Sequence, residues 1–136
     1  MLTIKKADLQ GIYEHCNRVY PNEACGILAG RNNSVQKVYP LVSEKPSPTF
    51  YRVDSKEHFR VIREMREAGM DLVSIYHSHP GGPAFPSSTD VDLAYYPEAV
   101  YVIVSLMDRR NPVAKGYNIV GGKITEVPLD VISEER

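Results

Sequence analysis

A buried strand that becomes polar at its end constrains this chain more than any other feature. The segment DLVSIYHSH, residues 71–79, has the apolar run of a buried strand and ends on His77 and His79. A Gly/Pro-rich loop, residues 81–86, then reverses the chain, and residues 87–94 can form a short helix. The apolar stretch AVYVIVSL that follows is a second buried strand. The chain therefore has to build a sheet in which one strand end faces a loop and a helix.

The other segments alternate between helical and strand patterns, which predicts a mixed α/β fold: a mixed sheet flanked by helices. Apolar residues recur at helical spacing before Pro21, and we expect a turn at Arg31-Asn32-Asn33 between the first two short apolar runs. In chain order, we expect a helix over 9–20, strands over 24–30, 34–42 and 50–53, a helix from Asp54 to Gly69, and a late hairpin that turns at Gly121–Gly122.

Composition limits the class of protein. The chain has 136 residues, which is the size of one domain with its own core, and we expect a single domain over 1–136. Its net charge of −1 indicates no nucleic-acid partner, and no apolar run is long enough to span a membrane. The start of the chain, MLTIKKADLQ, lacks the apolar region of a signal peptide. The only cysteines, Cys16 and Cys25, form no zinc-binding C-x-x-C pattern, so we expect a reduced, cytoplasmic protein.

The two histidines and a nearby aspartate have the spacing of a metal site. Residues two apart on a strand share a face and lie about 6.6 Å apart, so His77 and His79 can converge on one ion. The loop can bring Asp90 to the same ion, and two His with one carboxylate leave a position for water, as in catalytic zinc sites. Taken alone, Ser87-x-x-Asp90 is equally an ordinary helix start. Asp92 is a rival ligand, but it points away from Asp90 on a helix.

Together these residues resemble the motif of the JAMM (MPN+) zinc metalloproteases. That pattern is an upstream glutamate, then H-[S/T]-H-P, six residues, a serine, two residues and an aspartate. It is met by Glu23 in PNEACGILAG, by HSHP from His77, and by Ser87 and Asp90. The resemblance covers nearly the whole chain. It implies a JAMM/MPN domain with an architecture like that of the zinc nucleoside deaminases.

The resemblance also implies roles for two further residues. Glu23 is expected to act as the general base, whereas a glutamate after Pro21 would otherwise be read as solvated. Ser87 is expected to stabilise the oxyanion as well as to cap a helix. Cys25, two residues beyond Glu23, is interpreted as a small buried apolar residue, and a redox or nucleophilic role is left open.

The resemblance implies a zinc peptidase or isopeptidase that acts after the C-terminal Gly-Gly of a ubiquitin-like or sulfur-carrier β-grasp protein. The group released, a lysine conjugate or a terminal residue such as cysteine, is left open, and so is a homodimer. The alternatives are a non-catalytic scaffold of the same fold, a zinc hydrolase of another small amide, and a deaminase. The deaminase signature, H-x-E with P-C-x-x-C, is absent from this sequence.

Overall fold

The computed structural model describes residues 1–133 and contains an eight-stranded mixed sheet with helices on both faces. No helix among these residues is long and apolar enough to cross a membrane. The sheet order is β7-β6-β5-β4-β2-β3-β1-β8. The elements are β1 (Leu2–Lys5), α1 (Lys6–Val19), β2 (Cys25–Arg31), β3 (Ser34–Leu41), α2 (Ser55–Glu67), β4 (Asp71–His79), α3 (Ser88–Asp92), β5 (Val100–Ser105), β6 (Val113–Val120), β7 (Lys123–Val127) and β8 (Leu129–Ile132).

Turn residues set the two hairpins at the predicted places. Asn32 and Asn33 have φ of 52° and 59° between β2 and β3, and Gly121 and Gly122 have φ of 57° and 80° between β6 and β7. Two consecutive residues with positive φ give the turn whose twist matches that of paired strands, and Asn and Gly adopt it at least cost. Gly69, with φ of 73°, ends α2 as expected.

The two ends of the sheet meet at Pro128. β7 and β8 lie at opposite ends of the strand order, yet Pro128 alone separates them in sequence, so the sheet has to curl until its edges are adjacent. The N–H of Leu2 donates to the Pro128 carbonyl at 3.0 Å. Gly116 of β6 permits this closure, because a Cβ there would lie 2.9 Å from Leu129 Cδ2 and 3.0 Å from Val100 Cγ1.

Apolar residues divide the core between the two faces of the sheet. On one face, Ile12 and Cys16 of α1 pack against Leu28 and Val104. On the other face, Val61 of α2 packs against β2 and β3, and the region of α3 packs against β5 and β6. Each fully buried aliphatic side chain contributes roughly 1.5–3 kcal/mol to folding. The central strands β4 and β5 are thereby fixed, and the carboxyl end of β4 lies between the two apolar clusters of the second face.

Three parts of the sequence-based expectation were wrong. Residues 50–53 form no strand of the sheet, and Val53 makes only an isolated bridge to Ser43, beyond the end of β3. The edge strands β1 and β8 were not predicted, because four-residue segments carry little periodicity. The helix expected over 87–94 is shorter, Ser88–Asp92.

The start of α2 also differs from the expected capping arrangement. Asp54 is the N-cap residue, but its side chain makes no capping hydrogen bond. The carboxylate of Glu57 instead accepts the Val42 N–H at 2.9 Å and holds the end of β3 against the helix. The position of the helix start was predicted correctly, and its chemistry was not.

Candidate metal centre

The end of β4 presents His77 and His79 on the same face of the sheet. His77 pairs with Cys25 on β2 and with Ile103 on β5, so its ring lies inside the sheet's second face and is 2% exposed. His79 is the last residue of the strand, and its side chain is 11% exposed. The alternation of strand side chains therefore puts both imidazoles on one face, and the end of the strand at His79 leaves one of them buried and the other at the rim.

The loop after β4 brings Asp90 to the two rings. The Ser105 hydroxyl donates to the Gly82 carbonyl, and the Tyr117 hydroxyl donates to the Ala84 carbonyl, so neighbouring strands hold the loop in place. Asp90 Oδ2 lies 3.1 Å from His77 Nε2 and 2.9 Å from His79 Nε2. The two Nε2 atoms are 3.1 Å apart. Three ligand atoms thus form a nearly equilateral triangle.

The chemistry of this triangle fits a zinc ion. Ligands at about 2.0–2.1 Å from a tetrahedral zinc lie about 3.3 Å from each other, close to the spacing seen here. The Nε2 atoms of the two rings lie 3.1 Å apart, and both contact the same carboxylate oxygen of Asp90. All three atoms can act as acceptors, and few protons are available to lie between them, so a cation is their natural common partner. The residues His77, His79 and Asp90 can therefore hold one metal ion from three sides.

The outer contacts of the two rings differ. His79 Nδ1–H donates to the Pro83 carbonyl at 2.9 Å, which leaves its Nε2 to face the triangle. His77 Nδ1 is buried and has no hydrogen-bond partner among residues 1–133. The ring of Tyr51 lies over His77 instead, with centroids 5.1 Å apart. Packing orients one ring, and a hydrogen bond orients the other.

Without a cation, the triangle acts as a charge-assisted cluster. Burial favours a higher pKa for Asp90, but hydrogen bonds from His77 and His79 outweigh burial and hold that pKa well below its usual range. Burial favours a lower pKa for His79, but the bonds to Asp90 and to the Pro83 carbonyl prevail and raise it. Asp90 is therefore an anion throughout the neutral pH range, as a metal ligand must be.

Glu23 lies beside this triangle and is not solvated, because it is only 6% exposed. It precedes β2, and its backbone N–H donates to the Ser47 carbonyl at 2.7 Å. Burial raises the pKa of Glu23 to about 7; the His79 charge opposes this rise, and the Asp90 charge adds to it. A carboxyl with this pKa accepts and releases protons near neutral pH.

Ser87 and the rival ligand Asp92 are both exposed. The Ser87 hydroxyl oxygen accepts the Asp90 N–H at 3.1 Å, and the Ser87 N–H donates to Asp90 Oδ2 at 2.9 Å, so the capping arrangement is confirmed. An oxygen that accepts in this way still has its own O–H to donate. Asp92 lies outside the triangle.

Two cavities adjoin the triangle and share Glu23 and Thr49. One is an open groove of about 650 Å³, bordered by His79, Ser87 and the Gly/Pro loop. The other is a small enclosed pocket lined by His77, Asp90, Phe50 and Tyr51. The contribution of residues 49–51 was missed, because the sequence FYRV predicted a strand and carries no local sign of lying over a site.

Comparison with known proteins places the chain in a family. The family described as prokaryotic homologs of the JAB domain matches residues 5–116. A relative from Mycobacterium tuberculosis named CysO-cysteine peptidase is 41% identical over 136 residues, which is 98% of this chain and 93% of that protein. A Thermus thermophilus relative named probable TtuB-protein conjugate cleaving protease is 36% identical over 104 residues, 76% of this chain and 69% of that protein.

A solved structure agrees with these relatives. The solution structure of protein DSY2949 from Desulfitobacterium hafniense has a TM-score of 0.89 and 34% identity, and the match covers 98% of this chain and 94% of that one. The family match, the relatives and the solved structure all agree on one family for this chain. The chain belongs to the family of prokaryotic homologues of the JAB domain.

Proposed function

We propose that this protein is a zinc-dependent peptidase that hydrolyses the bond after the C-terminal Gly-Gly of a ubiquitin-like or sulfur-carrier β-grasp protein. The observation that carries the proposal is the meeting of three ligand atoms, from His77, His79 and Asp90, beside the buried carboxyl of Glu23. A metal triangle alone fits many functions. A triangle with a buried carboxyl beside it fits hydrolysis, because the carboxyl can take a proton from an attacking water.

The site residues divide the chemistry among them. When bound by His77, His79 and Asp90, zinc supplies Lewis-acid chemistry and lowers the pKa of a water molecule. Glu23 accepts the proton of the attacking water and returns it to the nitrogen of the leaving amine. The free O–H of Ser87 donates to the carbonyl oxygen as negative charge develops there. His79 is kept in one tautomer by the Pro83 carbonyl.

The open groove suits an extended tail. Pro48, Phe85 and Pro86 provide apolar walls, and Gly81 and Gly82 leave room for another backbone to approach. A Gly-Gly terminus has no side chains to exclude, so it can pass between these walls to the triangle. The relatives' names describe two kinds of substrate, a cysteine adduct and a protein conjugate, so both have to be assayed.

The test is hydrolysis by zinc-loaded wild type and by zinc-loaded Glu23→Gln. The substrates are a Gly-Gly carrier with one extra C-terminal residue and the same carrier joined to a lysine side chain, with products identified by mass spectrometry. Glutamine keeps the shape of Glu23 but accepts no proton, so the rate should fall roughly 10²–10⁴-fold while zinc stays bound. Near-wild-type hydrolysis by Glu23→Gln would remove Glu23 as the base. Absence of hydrolysis by wild type on both substrates would refute the proposed substrate class.

A further inference from the structure

Ser78 lies between the two histidines of β4, but its side chain faces the other side of the sheet. It pairs with Val104 on β5, whose side chain belongs to the core under α1. Ser78 is completely buried. Burial raises the pKa of the Cys16 thiol on α1 to about 12, and the neighbouring Ser78 hydroxyl opposes part of this rise. Ser78 therefore cannot touch a metal ion or a substrate in the groove.

The Ser78 side chain instead binds the backbone beside Glu23. The Ala24 N–H donates to Ser78 Oγ at 2.9 Å, and the Ser78 N–H donates to the Ala24 carbonyl at 3.0 Å. In a regular antiparallel ladder, the Ala24 N–H would donate to a carbonyl of the partner strand. Here a hydroxyl replaces that carbonyl, immediately before β2 begins at Cys25. The chain can leave the ladder at this point without losing a buried hydrogen bond.

Two hydrogen bonds consequently fix the backbone around Glu23. Its own N–H donates to the Ser47 carbonyl at 2.7 Å, and the next N–H, that of Ala24, is held by Ser78. The strand that carries His77 and His79 is thus tied directly to the segment that carries Glu23. A shift of about 1 Å in a catalytic group can reduce a rate about 10²-fold, so this tie matters for proton transfer.

We propose that Ser78 is a positioning residue: through its hydrogen bond to the Ala24 N–H, it sets the place of the Glu23 carboxyl relative to the metal ligands. The inference rests on the proposed function, in which Glu23 transfers the proton. Ser78 and the two histidines belong to the same strand, but the Ser78 side chain points to the opposite face of the sheet. The three consecutive residues 77–79 therefore position both the metal ligands and the base.

Ser74 provides a matched control on the same strand. It is also completely buried, it lies four residues before Ser78 and therefore on the same face, and its hydroxyl has no partner among the described residues. Ser78→Ala should lower kcat roughly 10–100-fold with zinc stoichiometry unchanged and KM within about twofold. Ser74→Ala removes the same atom from a similar environment and should leave kcat unchanged.

Two further measurements separate positioning from general damage. Ser78→Thr keeps the hydroxyl and should restore most of kcat. In the Glu23→Gln background, measured in single turnovers with excess enzyme, Ser78→Ala should change the rate less than about twofold, because its effect passes through Glu23. Amide hydrogen exchange at Ala24 should accelerate in Ser78→Ala and stay slow in Ser74→Ala. If Ser78→Ala does not fold, Ser78→Cys, a weaker hydrogen-bonding partner, takes its place.

The outcomes are distinguishable. Wild-type kcat in Ser78→Ala, equal losses in Ser74→Ala, or an undiminished loss in the Glu23→Gln background would each overturn the positioning role and leave the proposed function standing. Failure of zinc-loaded wild type to cleave either carrier would overturn the proposed function itself. Loss of zinc from Ser78→Ala would show that Ser78 supports the ligands rather than Glu23.

Discussion

Replacing Glu23 with glutamine should stabilise the metal-free protein above pH 7, although Glu23 is a site residue. Glu23 is 6% exposed, and burial raises the pKa of its carboxyl from an ordinary 4.5 to about 7. The folded state therefore binds this proton more tightly than the unfolded state does. The contribution of Glu23 to stability is fully present below pH 4.5 and is lost as the pH rises through about 7.

The size of the effect on the unfolding free energy follows from the shift in the pKa of Glu23. A rise from 4.5 to about 7, at about 1.36 kcal/mol per pKa unit, corresponds to about 3 kcal/mol of unfolding free energy. Glutamine resembles the protonated carboxyl and does not ionise, so it avoids the loss. The difference in unfolding free energy between Glu23→Gln and wild type should therefore grow by about 2–3 kcal/mol between pH 5 and pH 8.

Urea unfolding in the presence of a chelator measures this difference directly. Comparing the two proteins at each pH removes most of the contribution of titrating groups that do not interact with Glu23, whereas His79 and Asp90, whose charges act on Glu23, contribute to the measured difference. Glu67→Gln is the control, because Glu67 is exposed at the end of α2 and its variant should show no growing difference. If the curves of unfolding free energy against pH run parallel for wild type and Glu23→Gln, the argument that burial raises the pKa of Glu23 is wrong.

Three further predictions test the site and the fold. Ser87→Ala should lower stability by about 1 kcal/mol through loss of the cap, and should lower kcat by about 10²-fold or more if its O–H also stabilises the oxyanion; a cap alone would leave kcat nearly intact. Removal of zinc by a chelator should abolish hydrolysis but leave the circular dichroism spectrum unchanged, because a domain of this size has its own core; unfolding on chelation would contradict this. Gly116→Ala should destabilise the protein by about 1–3 kcal/mol in urea unfolding, because its Cβ would lie 3.0 Å from the Val127 carbonyl oxygen, a backbone atom fixed in the sheet, and 3.0 Å from Val100 Cγ1; an unchanged midpoint would show that the sheet closes more loosely.

Local sequence patterns predict much of the fold and of the candidate site. His77 and His79 follow from the period of a strand, and Asp90 follows from a six-residue loop and a helix start, so the sequence alone predicts all three as candidate ligands. The turns at Asn32–Asn33 and Gly121–Gly122 were likewise predicted, because positive φ is a property of the residue itself. These features depend on neighbours only a few residues away.

Other features were decided only when distant segments came together. The sequence alone allowed Glu23 to be solvated, and its burial and raised pKa arise because the Ser47 segment and β4 pack around it. Tyr51 was assigned to a strand, yet in the structure it lies over the His77 ring. The closure of the sheet at Pro128 and the bond from Ala24 to Ser78 likewise join residues far apart in the chain. Side-chain period and turn chemistry are short-range properties that the sequence states directly. Burial, and with it proton affinity, depends on which remote surfaces exclude water, and only the packed fold determines that.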